Sequence, residues 1–216
     1  MVDEIRNKIK NLREDFNKYS IDFNKLPNDP IELFSSWIDS ALEINNESIS
    51  FILSTVNKDR VPTSRVLLLR GFDEKGFVFY TNYTSSKSLD ISFNHNVALN
   101  FFWPNLQRQI RIIGIANKVS NDESDSYFYS RPRDSQISAC VSEQSSIIDI
   151  DKNFIDLVNE FKTSYEGKDI MRPKNWGGYR VSPNSIEFWQ GKPSRLHDRV
   201  KYIRDDNHWD KNRLSP

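Results

Sequence analysis

Apolar residues recur along this chain with two different periods, and the switch between them organises it. Ile5, Ile9, Leu12 and Phe16 are spaced by 4, 3 and 4 residues, one stripe of a 3.6-residue repeat, which predicts a helix charged on its other sides. Asp29-Pro30 offers an N-cap followed by proline at the first helical position. Leu33, Phe34, Trp37, Ile38, Ala41 and Leu42 would form the buried stripe of that second helix. From Ser48 onward the pattern is strand-like. Residues 49–56 and 61–70 predict two strands around Asn57-Lys58-Asp59-Arg60, and Asp73-Glu74-Lys75-Gly76 turns into a third over 77–81. A short helix is expected over 85–93, a hairpin from 97–103 and 107–119 around Pro104-Asn105, and helices over 122–130 and 151–165. Residues 176–214 return to strands, broken at Ser182-Pro183-Asn184. Closely spaced strands with few helices between them favour an antiparallel barrel over a doubly wound sheet. The expected architecture is one α+β domain over 1–216 with peripheral helices and a separate N-terminal segment, 1–28.

Composition narrows the partners. Thirty Lys+Arg balance thirty Asp+Glu, which argues against a nucleic-acid protein. No apolar run approaches the roughly 20 residues that span a bilayer, so no membrane partner is expected. A charged N-terminus without a signal-peptide core and a single cysteine, Cys140, point to the cytoplasm and exclude an internal disulfide framework. Fourteen Phe, 8 Tyr and 5 Trp stand against 7 Gly, and neither glycine-rich nucleotide-binding fingerprint occurs, so phosphate binding would fall to Arg and Lys side chains.

Three clusters could carry chemistry. In Arg195-Leu196-His197-Asp198-Arg199, read as a strand, Arg195, His197 and Arg199 share one face. That face is either a solvated sheet edge or a site for an electron-rich ligand, and the aromatic pair in Ile186-Glu187-Phe188-Trp189-Gln190-Gly191 favours the ligand. Ser130-Arg131-Pro132-Arg133-Asp134-Ser135-Gln136 could grip a phosphate, or form a loop with an internal Arg–Asp pair. Arg65 and Arg70 fall on opposite faces of one strand and should not serve the same anion; Tyr80-Thr81 and Ser86-Lys87 follow. His95 and His208 have no partners at metal-ligand spacing, so no metal is expected, and the apolar setting of Cys140 suits an inert thiol.

In these blocks the chain resembles the pyridoxine/pyridoxamine 5′-phosphate oxidase family over about residues 12–216. The most specific stretch runs from Ile186-Glu187-Phe188-Trp189-Gln190-Gly191 to Arg195-Leu196-His197-Asp198-Arg199. Tyr127-Phe128-Tyr129-Ser130-Arg131-Pro132-Arg133-Asp134-Ser135-Gln136-Ile137, Gln144-Ser145-Ser146 and Trp176-Gly177-Gly178 support it.

The resemblance implies an FMN-binding split β-barrel, a homodimer with FMN at the interface. It also implies oxidation of pyridoxamine or pyridoxine 5′-phosphate to pyridoxal 5′-phosphate with O2 as acceptor. Carried over by position, flavin contacts fall on Arg65, Val66, Leu67, Leu68, Leu69 and Arg70, on Tyr80, Thr81, Ser86 and Lys87, and on Gln109, Gln144, Ser145, Trp189 and Arg199. Substrate contacts fall on Arg70, Tyr127, Arg131, Ser135, Arg195, Leu196 and His197, with Arg195 and His197 over the reacting ring as donors or proton handlers. Segment 1–28 would act as a lid, with Arg13 covering the substrate. Three positions depart from the family pattern: Arg70 replaces a lysine, Ser86 an arginine and Phe16 a tyrosine. The loss of a cation at Ser86 implies weaker FMN binding than in a typical member.

Overall fold

The computed structural model describes residues 1–12, 15–151, 153–206 and 208–216. Arg13, the expected substrate cover, lies outside the described residues. In chain order the elements are α1 Val2–Asn11, α2 Pro30–Leu42, β1 Ser50–Val56, β2 Pro62–Leu68, β3 Gly71–Asp73, β4 Gly76–Asn82, α3 Ser86–Phe93 and β5 Asn96–Trp103. There follow β6 Arg108–Lys118, α4 Asn121–Ser130, α5 Arg133–Val141, α6 Phe154–Ser164, β7 Trp176–Gln190, β8 Asp198–Asp205 and β9 His208–Arg213.

Local chemistry explains the boundaries. Asp29 Oδ1 accepts the Ile31 N–H at 2.8 Å with Pro30 next in line, starting α2. Asn57 Oδ1 accepts the N–H groups of Asp59 and Val61, both at 2.9 Å, and so turns β1 into β2. Asp73 does the same for Lys75 at 2.9 Å ahead of Gly76, whose φ of +130° a side chain would not tolerate.

All strand pairs are antiparallel, in the order β2-β1-β5-β6-β7-β4-β3. The 15-residue β7 lies along β6 on one edge and divides the other: residues 176–181 take β4 and residues 185–190 take β8, which carries β9. No strand pair closes the sheet among the described residues. Leu69 N–H bonds to Ile49 O and Arg70 N–H to Val78 O, both at 2.9 Å, so the chain steps from the β1 edge to the β4 edge within two residues. The result is a split barrel. Phe34 of α2 plugs it, with its ring edge-on to Phe72, Phe77 and Phe101 at 4.9, 4.8 and 5.4 Å. A second core of Phe128, Ile137, Ile170 and Trp176 lies under α4 and α5. No helix among the described residues is long and apolar enough to cross a membrane.

The structure corrects four expectations. Ser182-Pro183-Asn184 does not break the strand: Asn184 bulges while β7 continues, because Pro183 has no N–H to contribute and stands opposite Gly114, where a Cβ would come within 2.3 Å of Ser182 O. Phe16 is not on the first helix, which ends at Asn11 with no buried residue. Within residues 130–136, for which a loop is one reading of the sequence, residues 133–136 are instead the start of α5, since Arg131-Pro132 ends one helix and proline leads the next. Residues 195–197 precede β8: Ser194 and Arg195 have φ of +56° and +62°, a tight turn that a parity argument cannot see.

Candidate functional site

The split of the barrel opens into a cleft of about 850 Å³ between β2, β4, α4, α5 and the segment after α5. One wall is β2 and the chain beyond it, with Val66, Leu67, Leu68 and Arg70; another is Tyr80 and Thr81 on β4. Tyr127 and Arg131 close one end, with Ser135 on α5, and Gln144 another. Of the proposed contacts on 65–70, the Leu69 side chain turns into the core.

The floor is aromatic. Tyr80 and Tyr127 stack at 3.8 Å, and both lie nearly parallel to Trp176, at 5.6 and 6.2 Å. Trp176 carries Arg131, whose guanidinium carbon sits 4.6 Å over its ring. Burial, with Arg70 nearby, lowers the Arg131 pKa. Its Nη1 is buried and has no hydrogen-bond partner among the described residues. A buried, unsatisfied cationic donor is costly, and an anion in the cleft would satisfy it.

A second cationic point, Lys87 with Arg65, does not line the cleft itself but stands behind its wall residues Thr81 and Gln144. Lys87, on the first turn of α3, is buried, and its Nζ donates to Thr81 Oγ1 (3.1 Å), Ser85 Oγ (2.9 Å) and Gln144 Oε1 (3.0 Å). All three acceptors are neutral. Desolvation, with Arg65 as a neighbouring charge, lowers its pKa to about 8. Arg65 donates to Thr55 Oγ1 at 2.7 Å and Thr63 Oγ1 at 2.6 Å, and both hydroxyls donate to Asp90, 3.8 Å from the guanidinium. Thr55, Thr63 and Asp90 escaped the sequence reading because their role is to hold Arg65, and they are 35 residues apart at most in sequence yet share no motif. Ser86 is exposed, and Ser145 sits in an exposed turn with φ of +75°. Arg65 and Arg70 are separated as expected, though by β2 ending at Leu68 rather than by parity along one strand.

The remaining residues gather elsewhere. Gln109 on β6, Trp189 on β7, Arg195, Leu196 and His197 in the turn and Arg199 on β8 do not line the cleft. Trp189 and His197 rings are 4.6 Å apart, and Phe16 packs on both at 5.8 and 5.9 Å, against Gly191 where a Cβ would strike it. Arg199 donates to Glu187 Oε1 at 2.9 Å and to Ser215 O at 2.7 Å, while Arg111 bonds the other Glu187 oxygen. Glu187 is buried between two guanidiniums, a positioning role no motif announced. Gln109 Nε2 donates to Asn100 Oδ1 at 2.8 Å. The candidate residues of one chain therefore fall into two groups, two candidate half-sites.

His95 hydrogen-bonds Ala116 O through Nδ1, and Cys140, half-buried, has its pKa raised by burial. His208 lies 3.5 Å from both Asp205 and Asp210, neighbours that hairpin pairing supplies and sequence spacing hid, but all three are exposed at the hairpin tip and none lines the cleft.

Comparison with known proteins gives one consistent result. Residues 39–160 match the family model described as pyridoxamine 5′-phosphate oxidase, and residues 176–216 match the pyridoxine 5′-phosphate oxidase C-terminal dimerisation region. A curated pyridoxine/pyridoxamine 5′-phosphate oxidase of Rhodopirellula baltica is 46% identical over 223 residues, covering 100% of both chains. That of Legionella pneumophila (strain Paris) is 43% identical over 209 residues, 96% of this chain and 97% of its own. Among solved structures, PhzG from Burkholderia lata 383, in complex with tetrahydrophenazine-1-carboxylic acid, superposes with a TM-score of 0.87 at 26% identity, over 94% of this chain and 100% of its own.

Proposed function

Because the chain belongs to the pyridoxine/pyridoxamine 5′-phosphate oxidase family, we propose that it binds FMN and oxidises pyridoxamine or pyridoxine 5′-phosphate to pyridoxal 5′-phosphate. O2 is the acceptor and H2O2 the reduced product; the amine additionally takes up water and releases ammonia. The observation that carries this reading is a pair of separated cationic points, Arg131 with Arg70 lining the cleft and Lys87 with Arg65 directly behind its wall residues Thr81 and Gln144.

Each of the two ligands brings a phosphate of about −1.5 to −2 charges at neutral pH. Lys87 and Arg65 suit the cofactor phosphate, since a buried ammonium among neutral oxygens lacks only an anion. Arg131, Arg70, Tyr127 and Ser135 suit the substrate phosphate, for which the unbonded Nη1 is a waiting donor. Bound flavin supplies the two-electron acceptor for hydride from the substrate C4′ and for reoxidation by O2. The chain's own part is to hold and orient: phosphate binding remote from C4′ fixes the ring, and binding energy spent there lowers the barrier.

Trp189, Arg195, His197 and Arg199 belong to the other half-site, and a second copy of the chain would bring them to the cleft. Exposed apolar side chains on the outer faces of β1, β2 and β5, among them Ile52, Val66, Leu68 and Phe102, give such a copy a surface to cover.

The test is an anaerobic absorbance titration of FMN-loaded protein with pyridoxamine 5′-phosphate. Bleaching of the oxidised flavin band, reversed by air with pyridoxal phosphate and peroxide appearing, is expected. A bound flavin that stays oxidised would overturn the activity and leave a binding module.

Ser86 gives a second prediction. It is exposed at the first position of α3, beside Lys87. Ser86→Arg adds a cation there and should tighten FMN by roughly three- to tenfold, the worth of one exposed charge-assisted contact. Flavin fluorescence quenching reads the dissociation constant, and an unchanged value would remove Ser86 from the phosphate site.

A further inference from the structure

The turn before β8 does something to His197 that its motif does not reveal. Gly191 N–H is bonded to Gln107 O at 2.8 Å, and Leu196 N–H to Pro193 O at 3.1 Å. Between them Ser194 and Arg195 both take positive φ, a local strain of order 1 kcal/mol or more each that the surroundings must hold. The outcome is that the chain doubles back and the Lys192 N–H points at the His197 ring, 3.1 Å from Nδ1.

A peptide N–H can only donate, so Nδ1 keeps its lone pair. The ring proton of the neutral imidazole is then on Nε2. Protonating Nδ1 would set N–H against N–H and cost the Lys192 bond. Trp189 and Phe16, packed on the ring, oppose its turning away.

We propose that His197 is a tautomer-locked, neutral Nε2–H donor, fixed by the Lys192 amide, which offers the substrate a hydrogen bond and takes up no proton during turnover. The proposal rests on the oxidase reading for its substrate, but the lock itself is a property of the chain. It narrows the chemistry His197 can recognise to a lone-pair acceptor, and any proton leaving the substrate must go to another group or to water.

The charged surroundings agree. Burial and the Arg195 and Arg199 charges lower the His197 pKa. β7 and the segment ahead of α2 present uncharged rings, Trp189 and Phe16. The nearby carboxylates are engaged elsewhere, Asp198 with the Ile21 N–H and Arg213, and Glu187 with Arg111 and Arg199.

The chain holds only three histidines, so the test is clean. In FMN-loaded protein labelled with nitrogen-15 histidine, two-bond proton–nitrogen spectra recorded from about pH 5.5 to 8.5 report each ring's tautomer and titration. His197 should show the Nε2–H form throughout. His95, whose Nδ1 faces the carbonyl of Ala116, should show the opposite tautomer. An Nδ1–H tautomer for His197, or its titration within that pH range, would overturn the proposal whether or not the enzyme turns over. Lys192→Ala keeps the amide and should leave the His197 signals in place. Lys192→Pro deletes the amide and, in protein that still binds FMN, should let the ring titrate upward. A ring that titrates equally in both variants would assign the effect to the side chain and refute the lock.

Discussion

Arg131→Ala should lower kcat/KM for pyridoxamine 5′-phosphate by roughly 10- to 150-fold while leaving the FMN dissociation constant within about twofold. The range follows from losing charge-assisted, two-pronged hydrogen bonding worth about 1.5–3 kcal/mol, at about 1.4 kcal/mol per factor of ten. Two features make the effect large for a single side chain. Arg131 is preorganised, lying on Trp176 at 4.6 Å and beside Phe128 at 5.8 Å, so little rotamer freedom is left to lose on binding. Its Nη1 has no partner among the described residues, so the bond it would form with phosphate replaces none already made. KM should carry most of the change if the phosphate is held equally in ground and transition states, and kcat should fall as well if the phosphate aligns C4′. Arg131→Lys should recover little, because an ammonium cannot reproduce the planar fork. Steady-state peroxide release measures both parameters. A kcat/KM within twofold of the parent protein would move the substrate phosphate away from Arg131.

How much of this was legible in the sequence depends on whether the signal was local. The α2 stripe, the Asn57 and Asp73 turns and the Pro104 hairpin are short-range chemistry, and each formed near its expected place. Motif residues that meet in the cleft, Arg70, Tyr80, Thr81, Tyr127, Arg131, Ser135 and Gln144, were also named in advance. What periodicity missed was set by tertiary contacts. Pro183 reads as a breaker, but the barrel bends at β7, and a bulge facing Gly114 absorbs the proline without ending the strand. Phe16 continues a helical spacing on paper, yet Gly191 leaves a seat that only a glycine allows, and the segment ahead of α2 delivers Phe16 to it instead. Arg195, His197 and Arg199 alternate like a strand face, while positive φ angles at Ser194 and Arg195 put the first two on a turn and leave only Arg199 on β8. The supporting residues were invisible for a related reason. Asp90 and Glu187 are buried acids held by side chains of other elements, Asp90 on α3 by β1 and β2 and Glu187 on β7 by the neighbouring strands, and such pairings have no sequence spacing.

FMN affinity should fall above about pH 8, and Lys87 sets that limb. Burial, with Arg65 adding repulsion, lowers its pKa to about 8 from the ordinary 10.5 in the free cleft. A bound phosphate favours the ammonium and raises the value again. Below pH 8 the lysine is already charged and binding costs no proton; above it, each binding event must first recharge Lys87, so the dissociation constant should rise by up to tenfold per pH unit. Tyr80, the titratable ring on the neighbouring strand position, is pushed up to about 12 by burial and does not contribute to this window. The phosphate's own second ionisation, near 6, bounds the plateau on the acid side. Fluorescence titrations from about pH 6.5 to 10 with FMN, and with riboflavin as the phosphate-free control, separate this from general loss of the fold. The limb should appear with FMN and be absent with riboflavin, and Lys87→Met should abolish it while weakening FMN at pH 7 by roughly 10- to 100-fold, the worth of a buried charge-assisted contact. The same lowered pKa predicts the opposite trend for the unliganded fold. Between about pH 8 and 10.5 the unfolded chain holds a proton that the folded Lys87 has released, so thermal stability of the flavin-free protein gains a rising contribution over that window and FMN binding cancels it. An FMN affinity that is flat to pH 10, or a limb shared with riboflavin, would place the cofactor phosphate somewhere other than Lys87.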